Sequence, residues 1–546
     1  MKVVRYSFVA ALFVIVLSHP AFAMDADNGT GPSFDPELDT IITAPKYNHS
    51  TWGIIFEDLE TGEVIYEFNA DKMFIPASVT KLYSTAVALD TLGADYQFRT
   101  PIYRAGEVDK SGNLEGNLVL VASGDMTMGG RDSEGGIEYT SFDHCDANAM
   151  DGAILTEQDP LNGLNQLAKQ VADSGITNVS DVIIDARLFD EMIFEEYVVS
   201  PIMINDNFID IVITPTNEGE LATVEWRPRS ALYNVSSSVE TVAAGSQAQI
   251  EITSGTGTIH VEGKIPAGND PLVRVSMVED PATFARSLLI EALEREGVDV
   301  TASSLSDNPS EKLPDNYSNL TEVAVLESLP FSENIKLILK VSQNVHADTL
   351  PFLVGAQYGT KDFYEGIHAG LPFFLGAGID ANEISFADGS GGDKSDLVTP
   401  RATVKLLRYM SNCPDFEHYY NSLPIMGVDG TLAMIENDVV QGKVRAKTGT
   451  ILTGDALSFR PVLLSKALSG YMNTTSGREL AFSMFVNNVP IAQSDDMFLI
   501  MNDQAKICEL VYVYYKSDNI TNNTSSISGA ITYPDDFSRS RFTSWH

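Results

Sequence analysis

The sequence predicts a mixed α/β (α+β) protein built from more than one domain. Its 546 residues exceed what a single hydrophobic core usually holds, so two or three domains are expected. A hydrophobic content of 44% is that of a globular chain. Strand-like runs and helical periodicities alternate along the chain, which indicates sheets and helices in the same molecule.

The first predicted elements are a hairpin and a helix. Residues 52–56 and 64–66 are short apolar runs joined by a segment that ends in Gly62, which is typical of two paired strands with a turn. A helix is then predicted by apolar residues at helical spacing that stop at a glycine: Leu82, Ala86, Leu89 and Leu92, followed by Gly93. Ser78 is therefore expected at a helix N-terminus.

The middle of the chain has a different pattern. From about residue 96 to 320, short strand-like runs alternate with Gly, Asn and Asp, and helical stretches occur near 161–174 and 282–296. This pattern predicts a large mixed insertion. Helical spacing resumes at Ile335, Ile338 and Leu339, and the segments 443–448 and 480–486 are typical of two strands of one sheet.

The two ends of the chain are predicted to lie outside the folded part. In residues 1–23, Lys2 and Arg5 precede an apolar run, and Ala21-Phe-Ala23 has the pattern of a signal-peptide cleavage site. An uncleaved membrane anchor is the alternative, but the apolar run is shorter than the roughly 20 residues that a bilayer requires. Residues 516–546 are rich in Ser, Thr, Asn and Asp, which predicts a flexible polar tail.

Charge and cysteine content exclude several classes of function. A formal net charge of −40 argues against nucleic acid and anionic membranes as partners. The three cysteines are far apart and form no C-x-x-C pair, so neither a zinc site nor a disulfide framework is indicated. We predict no metal and no cofactor, and a single disulfide remains open.

Three short motifs carry the prediction of chemistry. They are Ser78-Val-Thr-Lys81, Ser342-Gln-Asn344 and Lys447-Thr-Gly449, in that order along the chain. S-x-x-K, then S-x-N, then K-T-G is the ordered signature of the penicillin-recognising serine enzymes. Each motif alone occurs by chance in many proteins, but their order and their placement on the predicted elements favour function. No G-x-S-x-G or H-E-x-x-H motif competes with them.

The first motif supplies a nucleophile and its base. Lys81 lies three residues after Ser78 on one helix face, so the two side chains can touch. A lysine acts as a base only when it is neutral, which requires burial or a second cation nearby. Lys447, from the neighbouring strand, is predicted to be that cation.

The other two motifs are predicted to handle the substrate. Ser342 can relay a proton to a leaving amine, and the Asn344 amide can hold a peptide group by two hydrogen bonds. Lys447 with Thr448, Gly449 and Thr450 forms a predicted pocket for a terminal carboxylate. A serine acyl-transfer site with a carboxylate pocket indicates a carboxypeptidase.

With these motifs, the chain resembles the low-molecular-mass class C penicillin-binding proteins, the D-alanyl-D-alanine carboxypeptidase/endopeptidase family. The resemblance runs from about Trp52 to Tyr514. Further segments that carry it are Leu92-Gly93-Ala94, Gly124-Asp125-Met-Thr127, Val182-Ile-Ile-Asp185, Asp388-Gly-Ser-Gly391, Gly427-Val-Asp-Gly430-Thr-Leu432 and Ser469-Gly-Tyr471. The resemblance implies a penicillin-sensitive, serine-type D-Ala-D-Ala carboxypeptidase, with DD-endopeptidase activity as a further expectation.

The resemblance also implies a domain layout. The 260 residues between Lys81 and Ser342 would hold two nested, β-rich domains inserted into a domain like those of serine β-lactamases and transpeptidases. The expected division is residues 24–95 and 325–515 for the catalytic domain, 96–190 and 266–324 for domain II, and 191–265 for domain III. The oxyanion hole would be the backbone N–H groups of Ser78 and Thr450.

Partners and location follow from the same resemblance. The implied substrate is a peptidoglycan stem peptide, the implied inhibitors are β-lactams, and the implied location is periplasmic or extracellular. Alternatives of other classes are a catalytically weak wall-binding homologue and a β-lactamase. The oligomeric state is left open.

Three departures from the family pattern lie near the predicted site, and one of them is a loop about ten residues longer between Thr450 and Ser469. Lys394 stands where the family often has an arginine that would hold a substrate carboxylate, and lysine is a weaker bidentate partner. Gln343 replaces the commoner Asp or Asn of the second motif, and its side chain is expected to point away from the substrate. The acids of the insertion, Asp125 among them, are predicted to favour peptides with a free side-chain amine, although a merely solvated acidic surface is the alternative. His346 is interpreted as a packing residue rather than a general base.

Overall fold

The structure is a computed structural model that describes residues 36–514. The predicted signal peptide at 1–23 and the predicted tail at 516–546 lie outside these residues. Within the described part of the chain, no helix combines the length and apolar character that crossing a bilayer requires. Cys145, Cys413 and Cys508 are all free thiols.

A five-stranded antiparallel sheet, here called the catalytic sheet, forms the centre of the first region. Its strands follow in spatial order: Val64–Phe68, Thr51–Asp58, Glu479–Pro490, Pro461–Asn473 and Val444–Gly454. The hairpin predicted at residues 52–66 and the two predicted late strands are thus confirmed. The side chains of Ile54 and Ile55 lie on opposite faces of their strand and pack into two different core clusters. Both faces of the sheet are covered by helices.

Helices surround this sheet. They are Pro36–Ile42, Thr80–Leu92, Phe331–Lys340, Asn344–Gln357, Phe363–Ala369, Leu371–Gly376, Pro400–Met410, Phe416–Asn421 and Met497–Tyr514. Single 3-10 turns occur at Pro45–Tyr47, Ala77–Val79, Ala381–Glu383, Gly430–Leu432 and Ser494–Asp496, and a short ladder pairs Ile384–Ser385 with Leu397–Val398. The predicted helix after Ser78 is therefore Thr80–Leu92, and it ends at Gly93 as expected.

A second five-stranded sheet lies between residues 99 and 327. Its spatial order is Asp299–Val300, Asn178–Asp185, Asn113–Val121, Arg99–Val108 and Thr321–Glu327. Asn113–Val121 and Asn178–Asp185 run parallel, and the helix Asn162–Asp173 makes the connection between them. This helix and Pro281–Arg295 pack against each other and correspond to the helical stretches predicted near 161–174 and 282–296.

Two three-stranded sheets occupy residues 208–277. Phe208–Thr214 pairs with Thr223–Arg227 and Leu272–Met277, and Thr258–Pro266 pairs with Asn234–Val242 and Gln249–Gly255. Short hairpins at Asp132–Ser133 with Gly136–Ile137 and Met192–Ile193 with Val198–Val199, and 3-10 turns at His144–Asp146, Asn205–Asn207 and Ser310–Lys312, complete the region. Because Leu272–Met277 pairs with Phe208–Thr214, the predicted boundary at 265 falls inside a group of paired strands. The division into domains remains a prediction.

Candidate active site

Ser78 lies in the 3-10 turn Ala77–Val79, immediately before the helix that carries Lys81. The Lys81 ammonium donates to Ser78 Oγ at 3.0 Å, to Asn344 Oδ1 at 2.6 Å and to the Ser390 carbonyl at 2.8 Å. Lys81 is fully buried. Burial lowers its pKa to about 8, although the carboxylates of Asp348 and Asp388 act in the opposite direction. The predicted contact between nucleophile and base is present.

The second motif connects two helices. Ser342 follows the helix Phe331–Lys340 and has a left-handed backbone conformation with φ of +69°. Gln343 is the N-cap of the helix Asn344–Gln357, and its side chain turns away from Lys81, toward Asp143 and Asp206. That direction confirms the prediction for Gln343. Ser342 and Asn344 instead contact the two lysines of the other motifs.

The third motif lies on Val444–Gly454, at the edge of the catalytic sheet. The Lys447 ammonium donates to Ser342 Oγ at 2.8 Å and to the Thr448 carbonyl at 2.9 Å. Lys447 is fully buried, and burial together with the nearby charge of Lys81 holds its pKa well below the usual lysine value. The five residues predicted to be catalytic thus form a set of two hydrogen-bonded groups, Ser78 with Lys81 and Asn344, and Ser342 with Lys447, and the backbone of the second motif joins the two groups.

Gly449 allows the strand to approach the Ser78 turn. A Cβ atom at this position would lie 2.6 Å from the Pro76 carbonyl oxygen, a distance that atoms do not tolerate. The neighbouring hydroxyls are oriented by residues that the sequence reasoning did not find. Thr448 Oγ1 donates to Thr431 Oγ1 at 2.8 Å, and Lys466 Nζ donates to Thr450 Oγ1 at 2.8 Å.

Ser390, which accepts from Lys81, was also missed as a site residue, although its segment was recognised. It belongs to the loop Asp388-Gly-Ser-Gly391, whose conformation is set by the Asp388 carboxylate accepting from the Ser390 backbone N–H at 3.0 Å. Gly391 has φ of +85°, and a Cβ atom there would lie 1.9 Å from the Ala77 carbonyl oxygen. The loop therefore packs directly against the turn that presents Ser78.

Asp125 and Lys394 do not join this set. The Asp125 carboxylate is 1% exposed, accepts from the backbone N–H groups of Thr127 and Met128 at 3.0 and 3.1 Å, and is turned into the protein. Burial raises its pKa. Lys394 lies on an exposed stretch of its loop. Substrate binding by these two residues stays a prediction that the geometry of Asp125 does not favour.

One group of side chains has the spacing of a metal site. Ligand atoms of Asp143, His144 and Asp206 lie within 4.8 Å of one another, and all three residues are buried. Each of them is already hydrogen-bonded to a side chain of opposite charge or to another group of the cluster, including Arg131 at 2.8 Å from Asp143. This group is a satisfied ion network beside the second motif.

Comparisons with known proteins agree with this geometry. Residues 35–505 match the family described as D-Ala-D-Ala carboxypeptidase 3 (S13). The D-alanyl-D-alanine carboxypeptidase of Actinomadura sp. (strain R39) is 29% identical over 509 residues, which cover 87% of this chain and 85% of that protein.

Solved structures of penicillin-binding protein 4 (dacB) from Haemophilus influenzae share the fold. One has a TM-score of 0.67 at 20% identity and covers 87% of this chain and 99% of its own. A second, complexed with a novel β-lactam, has a TM-score of 0.64 at 21% identity, with 87% and 98% covered. These likenesses confirm the predicted fold class, and the match over residues 35–505 confirms the predicted family and the predicted serine-type D-Ala-D-Ala carboxypeptidase. The chain belongs to the D-Ala-D-Ala carboxypeptidase 3 (S13) family.

Proposed function

We propose that this protein hydrolyses the terminal D-Ala-D-Ala bond of peptidoglycan stem peptides through an acyl intermediate on Ser78. The observation that carries the proposal is the unbroken hydrogen-bonded set from Ser78 through Lys81 to Asn344, with Lys447 and Ser342 beside it. A nucleophile in direct contact with a buried lysine of lowered pKa is the arrangement that general-base activation of a serine requires.

Acylation begins at the Ser78 hydroxyl. Neutral Lys81 takes the proton from Ser78 Oγ as the oxygen attacks the carbonyl carbon of the penultimate D-Ala. The resulting oxyanion is held by the backbone N–H groups of Ser78 and Thr450. The close packing of Gly449 on the Pro76 carbonyl supports this pairing, because it brings the strand with Thr450 against the turn with Ser78.

The leaving group is the terminal D-Ala. As the peptide bond breaks, its amine receives a proton passed through Ser342 Oγ, which Lys447 holds at 2.8 Å. The terminal carboxylate is held by Lys447 and the hydroxyls of Thr448 and Thr450, which Thr431 and Lys466 orient from behind. Water then hydrolyses the ester on Ser78 and frees the shortened peptide.

The same nucleophile should react with β-lactams, as the complex of the Haemophilus influenzae protein with a β-lactam indicates for that relative. The residues of the predicted signal peptide support secretion to the periplasm or the exterior, where a peptidoglycan substrate would be found.

Labelling with a fluorescent penicillin tests the proposal. Wild-type protein should carry a covalent label that persists for many minutes and should release D-Ala from a peptide ending in D-Ala-D-Ala. The Ser78→Ala variant is the matched control and should do neither. A wild type that takes no label would support the wall-binding alternative, whereas a label lost within seconds would support a β-lactamase.

A further inference from the structure

The ion network beside the second motif is centred on Asp206, which is 3% exposed. Asp206 Oδ1 accepts from His346 Nε2 at 2.8 Å. Asp206 Oδ2 accepts from His144 Nε2 at 2.7 Å, from Gln343 Nε2 at 3.0 Å and from Arg131 at 3.2 Å. One carboxylate of the inserted region therefore binds two residues that follow the Ser342 position in the catalytic region.

The network is balanced in charge without a metal ion. Arg131 donates twice to Asp143, at 2.8 and 3.1 Å, and Arg227 donates to Asp210 at 3.0 Å. Burial opposes the charged form of His144, but the carboxylates of Asp210 and Asp143 outweigh it and raise the histidine pKa to about 10. The cations Arg131, Arg227 and protonated His144 thus face the anions Asp143, Asp206 and Asp210, which leaves no excess negative charge to hold a divalent ion.

Along residues 342–346, side chains that contact Asp206 alternate with side chains that contact the catalytic lysines. Gln343 and His346 point inward to Asp206, whereas Ser342 and Asn344 point into the active site. The bond to Asp206 is the hydrogen bond that anchors the His346 ring, since its Nδ1 atom has no partner among residues 36–514. Gln343 Oε1 also accepts from the Val345 backbone N–H at 3.3 Å, which links its amide to the start of the helix.

The backbone on both sides of these contacts is strained. Ser342 has φ of +69°, and Asn205, Asp206 and Asn207 have φ of +55°, +56° and +59° in succession. A non-glycine residue in the left-handed region is strained and persists only where contacts with its surroundings hold it there. Asn207 helps to hold the turn at residues 205–207, because its side-chain amide donates to the carbonyl groups of Val198 and Ile202 at 3.2 and 3.4 Å.

We infer that Asp206 is a positioning residue for the second motif. Through Gln343 and His346 it holds Ser342 in its left-handed conformation, with the hydroxyl on Lys447, and holds Asn344 on Lys81. The inference rests on the proposed function, because the geometry it maintains is that of the acyl-transfer site. Without the shared acceptor, the strained backbone at Ser342 relaxes, and Ser342 Oγ moves away from Lys447.

The variant Asp206→Asn tests this role, because it keeps the shape of the side chain and removes its charge. The rate of acylation by a fluorescent penicillin is measured per molecule that finally takes label, so that misfolded protein does not count. We expect that rate to fall at least about tenfold, since a displacement of about 1 Å in a catalytic group costs up to about a hundredfold. Melting temperature is recorded for every variant.

Asp181→Asn is the matched control. Asp181 is also a buried carboxylate bound to two cations, Arg286 at 2.6 Å and Lys312 at 3.2 Å, but it lies in the second sheet away from the motifs. Its substitution should lower the melting temperature in the same way and leave the acylation rate within about twofold. A purely structural role for Asp206 predicts the same result for both variants.

A second pair of variants keeps the test decisive if Asp206→Asn folds poorly. Gln343→Leu removes the amide that binds Asp206 while the network retains its charges, and it should slow acylation in the same direction. In the double variant that combines Asp206→Asn with Gln343→Glu, the amide at position 206 donates to the carboxylate at position 343. This exchange of donor and acceptor should recover part of the acylation rate that Asp206→Asn alone loses.

The outcomes separate this inference from the proposed function. If wild-type protein takes label but Asp206→Asn and Gln343→Leu acylate as fast, the positioning role is wrong and the proposed function stands. If Asp206→Asn and Asp181→Asn lose rate equally, the positioning role is also wrong. If wild-type protein takes no label, both proposals fall together.

Discussion

The pH dependence of acylation should report the protonation of Lys81. Only the neutral amine can take the proton of Ser78, and burial lowers the pKa of Lys81 to about 8. Because the active form is the deprotonated one, the acylation rate should rise with pH and level off above the lowered pKa. The perturbation is therefore a series of buffers from about pH 6 to about pH 10.

The size of the effect follows from the fraction of neutral lysine. With a pKa near 8, about a tenth of Lys81 is neutral at about pH 7 and about nine-tenths at about pH 9, so the rate rises about tenfold and then reaches a plateau. A lysine with its ordinary pKa would instead give a rise of about a hundredfold over the same interval and no plateau. The two cases are easily distinguished.

The assay is the rate of covalent labelling by a fluorescent penicillin in each buffer, with separate confirmation that the protein stays folded. Lys81→Ala should take no label at any pH. Asp348→Asn removes one of the carboxylates that raise the pKa of Lys81, so its midpoint should move to lower pH. A rate that does not change between about pH 6 and about pH 9 would refute Lys81 as the base.

Lys466 is the control for the assignment. Burial lowers its pKa to about 8 as well, but its ammonium contacts Thr450 rather than Ser78. Lys466→Gln should weaken binding of the terminal carboxylate and leave the midpoint of the acylation profile where it is. A midpoint that disappears in this variant would assign the titration to Lys466 instead.

Two further predictions concern the carboxylate pocket and the Ser78 turn. Lys447→Ala should raise KM for a peptide ending in D-Ala-D-Ala far more than for the same peptide with an amidated C-terminus. The reason is that the variant removes the charge that holds the terminal carboxylate. Equal effects on both peptides would contradict that role. Gly391→Ala should lower the melting temperature by at least about 2 °C and reduce the fraction of molecules that take label, because its Cβ would overlap the Ala77 carbonyl. Gly392→Ala, where the nearest atoms lie 3.5 Å or more away, is its control and should change neither.

The parts of the site that follow from local sequence were predictable. Ser78 and Lys81 meet because they lie three positions apart at the start of a helix, and helical spacing is visible in the apolar residues that follow. The K-T-G strand and the S-x-N segment could be joined to them only because the order of the three motifs is specific. The mixed fold with a large insertion followed from length and from the change of pattern after residue 96.

The parts that depend on distant contacts were not predictable. Ser390 is separated from Lys81 by 309 positions, and Asp206 from His346 by 140, so no local periodicity connects them. His346 was interpreted as a packing residue rather than a general base, and it is buried, but its hydrogen bond to Asp206 could not be named. Asp125 was chosen for its family-like segment, and burial of its carboxylate depends on packing that no single sequence reveals.

The catalytic sheet also determines the order in which the chain can fold. Strand Thr51–Asp58 lies between its neighbour Val64–Phe68 and Glu479–Pro490, and Thr51 pairs with Asn487 across more than four hundred positions. During synthesis the first hairpin therefore cannot pair with Glu479–Pro490 until almost the whole chain has been made. The strands of residues 99–327 pair only with one another, so their sheets can form earlier.

Until then, the edge of strand Thr51–Asp58 that pairs with Glu479–Pro490 is open. Apolar side chains of this strand, such as Ile54 and Phe56, are fully buried in the folded protein. A chain that stops before residue 479 leaves that edge unpaired, even though the inserted sheets have all their strands. We therefore expect reactivity toward penicillin to be the last property that a newly made molecule acquires, and the N-terminal hairpin to be the segment most exposed to misassociation until then.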